Sequence, residues 1–390
     1  MNRREFCRYL AAVSGAAVLS SCRYIPTAEL TGPKATAVPT GTASPSPFPT
    51  ATNAATATHR AVANQSLDAT AAPTSTPEAT PTASATPDLG LSQVALVRTT
   101  DRALGVRRAI ELLGINPVRG NQVLFKPNFN SIGVAPASTH PDIMRSTLVA
   151  LEEMGARSIT VGERSGMGLT RQVLQLAGVF SLGEELGYST VVFDELEEED
   201  WIIRRSGDFH WADGFAVPRL LLDTESIVQT CCLKTHRYGG HFTMALKNSV
   251  GFVAKRTHSG GYNYMSELHD SAHQRAMIAE INAVYKPALI VLDGVEAFLS
   301  GGPALGKKTT TGVVLAGTDP VAIDAVGVAI LRLFGTTPEV SEGKIFDQEQ
   351  IFRAVELGLG ATGPEMIQLV AGDAESLTFA REVEAMLLAG

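Results

Sequence analysis

From residue 91 onward, short apolar runs of four to seven residues alternate with longer segments whose apolar positions recur every three or four residues. The short runs predict strands at 93–97, 122–125, 158–161, 190–193, 226–232, 288–292, 312–315 and 367–370. The longer segments predict helices at 101–113, 141–154, 243–250, 266–284 and 321–333. Two of these helices carry clear boundary signals. Pro141 opens one and Gly155 follows it; Asp319 stands as N-cap of the last, with Pro320 at its first position. Strand and helix alternate, which predicts an α/β fold with a mainly parallel, doubly wound sheet and helices on both faces. Residues 201–217, irregular and aromatic with an Asp-Gly turn signal, read as a hairpin insertion in a single lobed domain.

The pattern is absent before residue 89. Residues 23–88 are dominated by Ala, Thr, Pro and Ser, too poor in large apolar side chains to form a core, and read as a disordered tether. At 1–22, Arg3 and Arg4 resemble a twin-arginine export signal. The apolar run 10–19 is too short to span a bilayer, and Leu19, Ser20, Ser21 and Cys22 resemble a lipoprotein box. That resemblance implies cleavage before Cys22, lipidation of its sulfur and an extracytoplasmic domain, 89–390, anchored to the cell membrane.

Charge and cysteine content narrow the partners. The chain carries −8, of which 1–22 contribute +2 and 23–88 contribute −1, leaving −9 on the domain. An acidic domain of this kind is a poor partner for nucleic acid. Within it only Cys231 and Cys232 remain, which excludes a disulfide framework and a cysteine-ligated iron–sulfur cluster. Adjacent cysteines at a strand end read as small buried residues.

The ionisable residues gather where predicted strands end. Lys126 and Asn128 follow the second strand, Glu163 the third; Lys234 and His236 follow strand 226–232, and Lys247 and Asn248 lie on the next helix. In an open α/β sheet the crevice outside the carboxyl ends of the strands is where ligands bind. Lys126, Lys234, His236 and Lys247 are therefore expected to line one cleft for a small anionic group, with Glu163 and Asp293 at its rim. His269 and His273, four apart on a predicted helix, are candidate metal ligands alongside His241 and His258.

Taken in order, Lys126-Pro127-Asn128, Gly162-Glu163, Lys234-Thr235-His236, Lys247-Asn248, Asp293-Gly294, Gly302-Pro303 and Gly317-Thr318-Asp319-Pro320 with Asp324 resemble the domain-of-unknown-function family numbered 362. The resemblance implies the fold and adds Asn128, Asn248, Asp293, Gly302 and Asp319 as ligand-site candidates; it implies no reaction. The function expected is binding of a small anion at the Lys/His-rich cleft, with enzymatic turnover left open. The alternatives are a non-catalytic envelope binding protein and a metal-dependent redox protein using the histidines. The cofactor and any protein partner are unknown at this level.

Overall fold

A computed structural model of the chain describes residues 90–256 and 261–390. The expected signal segment with Cys22, the expected tether and His258 lie outside these residues. The strands are β1 (Ser92–Arg98), β2 (Gln122–Lys126), β3 (Ser158–Glu163), β4 (Ser189–Val192), β5 (Trp201–Arg204) and β6 (Phe215–Pro218). β7 (Ser226–His236), β8 (His241–Thr243), β9 (Pro287–Gly301), β10 (Gly306–Gly317) and β11 (Ile367–Val370) follow.

One nine-stranded sheet runs in the order β11-β1-β10-β9-β7-β2-β3-β4, with β8 added to β7. β2 pairs in parallel with β3 and β7, β7 with β9, β3 with β4 and β1 with β11. Among the strands of the main order, β10 alone is reversed, antiparallel to both neighbours. The sheet is thus mainly parallel, as the strand–helix alternation predicts. The expected hairpin insertion is a separate antiparallel pair, β5 with β6.

Both faces are covered. Val106, Ile110, Ile143, Leu148 and Val173 from helices Arg102–Leu113, Pro141–Glu153 and Thr170–Leu176 pack on Val123, Phe125, Val161 and Val291. On the opposite face, helix Pro320–Leu333 is buried for most of its length against Cys231, Leu233, Leu292 and Leu315, with Phe379 and Val383 of helix Ala374–Ala389 behind it. A helix apolar all round is expected where a second helical layer covers the first. Asp319 caps that helix, accepting from the Val321 and Ala322 amides.

Three expectations are corrected. The strands expected at 288–292 and 312–315 are the inner parts of a long antiparallel hairpin, β9 and β10. Gly294 permits it: a Cβ there would lie 2.7 Å from Val313 Cγ1, so close strand approach replaces the turn that Asp293 and Gly294 signal. The helix expected at 266–284 is two, Tyr264–Asp270 and Gln274–Ile281, broken where Ser271 turns extended (ψ 138°). The helix expected at 243–250 is a short one, Ala245–Asn248, because Thr243 belongs to β8.

Candidate active site

Connections leave β2 toward β3 on one side and β7 toward β9 on the other, while β2 and β7 are neighbours. Their carboxyl ends therefore flank a topological switch point, where the chain opens a crevice. β2 stops at Lys126, in register with Gln229, and β7 runs on to His236. Residues beyond Gln229 project past the end of β2, and the polar residues of both strands meet there.

The deepest contact is an ion pair. Lys126 Nζ lies 2.5 Å from Glu163 Oε1, both side chains being about fully buried at 1% and 2% exposure. Glu163 Oε1 also accepts from the Arg164 amide and Oε2 from the Phe129 amide, each at 2.8 Å. Lys126 donates to the Pro127 carbonyl at 2.7 Å. Burial lowers the Lys126 pKa, opposed by Glu163. The pair exists because residue 251 has no side chain: a Cβ on Gly251 would lie 2.7 Å from Lys126 Nζ and 2.9 Å from Glu163 Oε1. Glu163 is thus beneath the site, with both oxygens engaged, not at its rim.

Two asparagines carry the network from Lys126 to Lys234. Asn248 Oδ1 faces Lys126 Nζ at 3.5 Å and accepts from Asn128 Nδ2 at 3.1 Å. Asn128 Oδ1 accepts from Lys234 Nζ at 2.8 Å, and Lys234 also donates to the Ala137 carbonyl at 2.5 Å. Asn248 Nδ2 reaches Gln229 Oε1 and the Thr230 carbonyl, both at 3.1 Å. By strand alternation Lys126 shares the face of Leu124, whereas Lys234 shares that of Val228 and Thr230. The amides bridge the two faces around the end of β2. Asn128 and Asn248, expected as ligand contacts, have their amide groups engaged by protein.

Lys247 and His236 differ from these. Lys247 is 8% exposed and, among the described residues, its ammonium has no hydrogen-bond or ion-pair partner. Burial, with Arg164 and Lys234 nearby, brings its pKa down to about 8. His236 is 7% exposed and its Nδ1 is buried without a partner. Burial, then Lys247, His269 and Lys234, hold its pKa well below the ordinary imidazole range, so the ring is neutral at pH 7. The two flank Gly240, whose Cβ would lie 2.8 Å from His236 Nδ1 and 3.0 Å from Lys247 Cε. His236 also lines a cavity of about 330 Å³ together with Thr235, His241 and Glu339.

Sequence reasoning missed Arg164, buried at 2% exposure and donating to the Val253 and Val250 carbonyls. Its burial lowers its pKa, opposed by Asp194 and then Glu163. The charged loop that it shares with Glu163 was the available signal. Also missed were Ser165, Gln229 and Gln274, each with a buried polar atom that has no partner. With His236 they supply four of the five such atoms among the described residues, and unsatisfied buried groups gather where a ligand or water is to be met.

Other candidates lie elsewhere. Asp319, at the end of reversed β10, is delivered to the opposite edge of the sheet, where it caps a helix and accepts from the Ala361 amide. A groove of about 910 Å³ at that edge, between Tyr285, Asp319 and Met366, holds a single lysine, Lys286, and is lined by none of the cluster's residues. The concentration of buried ionisable groups marks the site better than groove volume does. Asp293 lies within β9 on the face of helix Arg102–Leu113, accepting from Arg102 Nε at 2.9 Å and from the Val295 amide. It is a structural ion pair, not a rim residue. Gly302, at φ 60°, seats the β9–β10 turn against the Thr235 carbonyl, too close for any side chain. His269 lies on helix Tyr264–Asp270 and His273 is the residue before helix Gln274–Ile281: His269 Nδ1 contacts the Met265 carbonyl and His273 stacks on His210 with centroids 4.4 Å apart. Among the described residues no group of three or more His, Cys, Asp or Glu side chains could hold a metal. Cys231 and Cys232 are free and buried, and burial raises both thiol pKa values.

The strands and loops that build this edge fall within residues 123–329, the stretch matched by the model of the Domain of unknown function family DUF362. The chain belongs to DUF362. The DUF362 region ends within helix Pro320–Leu333 and includes every residue of the cationic network. A thylakoid-associated protein of Synechocystis sp. is 26% identical over 260 residues, 62% of this chain and 75% of that protein. Among the described residues no helix is long and apolar enough to cross a membrane.

Proposed function

We propose that this DUF362 domain binds a small anionic molecule at the carboxyl edge of β2 and β7. Lys247 and Lys234 are its counter-charges and His236 is a neutral proton acceptor beside it. One observation supports the reading most. Lys247 is a mostly buried lysine whose ammonium has no protein partner among the described residues and is set among further cations, whereas Glu163 already neutralises Lys126. Keeping uncompensated charge out of water costs several kcal/mol unless something opposes it. An anion held between Lys234, His236 and Lys247 would offset that cost, and the near-neutral titration of Lys247 would let it exchange a proton with the ligand.

Thermal unfolding of the full-length chain tests this. At constant ionic strength, phosphate, pyrophosphate, oxalate and citrate are each compared with chloride. An anion at a hundred times its Kd adds about 2.7 kcal/mol, or a Tm rise of roughly 5 °C for a domain of this size. Lys234→Met and Lys247→Met should fold and lose that rise; a rise that survives both substitutions places the anion elsewhere.

We further propose that the domain works at a membrane surface, tethered through Cys22. The resemblance of residues 1–22 to an export and lipoprotein signal and the thylakoid association of the Synechocystis relative support this. Cys22→Ala protein should move from the membrane fraction to the soluble fraction; retention in the membrane would refute lipid anchoring.

A further inference from the structure

Three buried lysines surround the switch point, and two are committed. Lys126 is held by Glu163 and the Pro127 carbonyl, and Lys234 donates to Asn128 Oδ1 and the Ala137 carbonyl, leaving one of its three N–H groups. Of these three, only Lys247 has no protein partner for its nitrogen among the described residues. The atoms next to it are those that an amine nucleophile requires. His236 Nδ1, unpartnered and buried, and Lys247 Cε both approach the position that a Cβ on Gly240 would take, at 2.8 and 3.0 Å. Lys234 and Arg164 act on Lys247 as like charges.

We propose that Lys247 condenses with the carbonyl carbon of a small anionic oxo compound, an oxoacid or a phosphorylated aldehyde or ketone, to form a Schiff base. This rests on the anion-binding reading and names the ligand class for the same site. The amine nitrogen attacks the carbonyl carbon, a C–N bond forms, and the carbonyl electron pair moves to oxygen. Lys247 gives up one proton to His236 before it attacks and a second once the C–N bond has formed; His236 relays both to that oxygen, the C–O bond breaks and water leaves. Ammonium and carbonyl thus become a protonated imine and one water, with no redox change. Lys234 holds the carboxylate or phosphate while Lys247 reacts. A buried amine beside other cations has a free-base fraction near neutral pH, the condition for lysine nucleophiles. The Lys247 titration near 8 fits that requirement.

The test uses the full-length chain with pyridoxal 5′-phosphate as an anionic aldehyde and pyruvate as an oxoacid, followed by borohydride and peptide mapping. The expected result is a reduced adduct on Lys247 ahead of the surface lysines, at least tenfold less of it with phosphate-free pyridoxal, and a rate that climbs through about pH 8. Lys247→Arg should lose the adduct. Wild-type mapping alone decides the matter if that variant does not fold. Adducts confined to Lys234 or to surface lysines, with Lys247 unmodified, overturn the proposal. A phosphate-dependent Tm rise without any Lys247 adduct would leave anion binding standing and remove the Schiff base. Equal labelling by pyridoxal, with no Tm rise, would remove both.

Discussion

Replacing Lys247 by Met should stabilise the protein at neutral pH. Lys247 titrates at about 8 in the fold against 10.5 when exposed. A difference of about 2.5 units at roughly 1.4 kcal/mol each puts about 3 kcal/mol of folding free energy into keeping the ammonium charged at pH 7. The sign follows from linkage. Between pH 8 and 10.5 the unfolded chain holds a proton that the folded chain has released, so wild-type stability climbs across that window. Below pH 8 both states are protonated and the whole cost is borne. Methionine fills much of the same stem volume without the charge and removes no hydrogen bond made to a described residue. Urea unfolding of Lys247→Met should therefore show a gain of about 3 kcal/mol at pH 7, shrinking toward zero by pH 10.5, with the slope m unchanged. Lys247→Arg, which keeps the charge, should show no gain. A Met variant no more stable than wild type at pH 7, or equally stabilised at pH 7 and 10.5, would refute the argument that Lys247 is a buried, uncompensated charge.

Other substitutions probe the neighbouring parts. Glu163→Ala strands the Lys126 ammonium and two backbone amides and should cost about 3–5 kcal/mol by urea unfolding; Lys126→Met in the same chain should recover most of it, and a loss under 1 kcal/mol for the single variant would contradict the pair. Gly251→Ala, which drives a methyl against the same pair, should lower Tm by several degrees without Gly251 touching any ligand. Asp324, fully buried and raised to about 8 by burial, accepts from the Ala245 and Leu246 amides. With its unfolded value at 3.8, its stabilising contribution is lost as pH rises from there to about 8. Asp324→Asn should flatten that decline, by up to about 1.4 kcal/mol per pH unit, while its amide turns to the unpartnered Gln350 Oε1; an unchanged pH profile would show that Asp324 does not titrate in this range.

Much of the architecture was legible in the sequence because its signals are local. Asp319 and Pro320 marked the start of a helix correctly, β11 has the predicted bounds, and the hairpin at β5 and β6 followed from its turn residues. The placement of Lys126, Lys234 and Lys247 near the ends of β2 and β7 was expected from the strand–helix order. What was not legible depends on partners far along the chain. Asp293 and Gly294 have the composition of a turn, but Arg102, nearly 200 residues earlier, and Val313 turn them into the middle of a strand. That lengthened hairpin reverses β10 and sends Asp319 to the far edge, which no local pattern records. Helical periodicity ran straight through Ser271, where the backbone turns extended and parts His269 from His273. The division of labour among the lysines was equally hidden, because Lys126 and Lys247 differ only in whether a carboxylate lies within reach.

Soaking crystals of the protein in selenate and mapping the anomalous selenium signal tests the central claim most directly. The account predicts a tetrahedral oxyanion between Lys234, His236 and Lys247, lost in Lys247→Met crystals. Selenate bound only elsewhere, with that cleft unoccupied in the wild type, would contradict it.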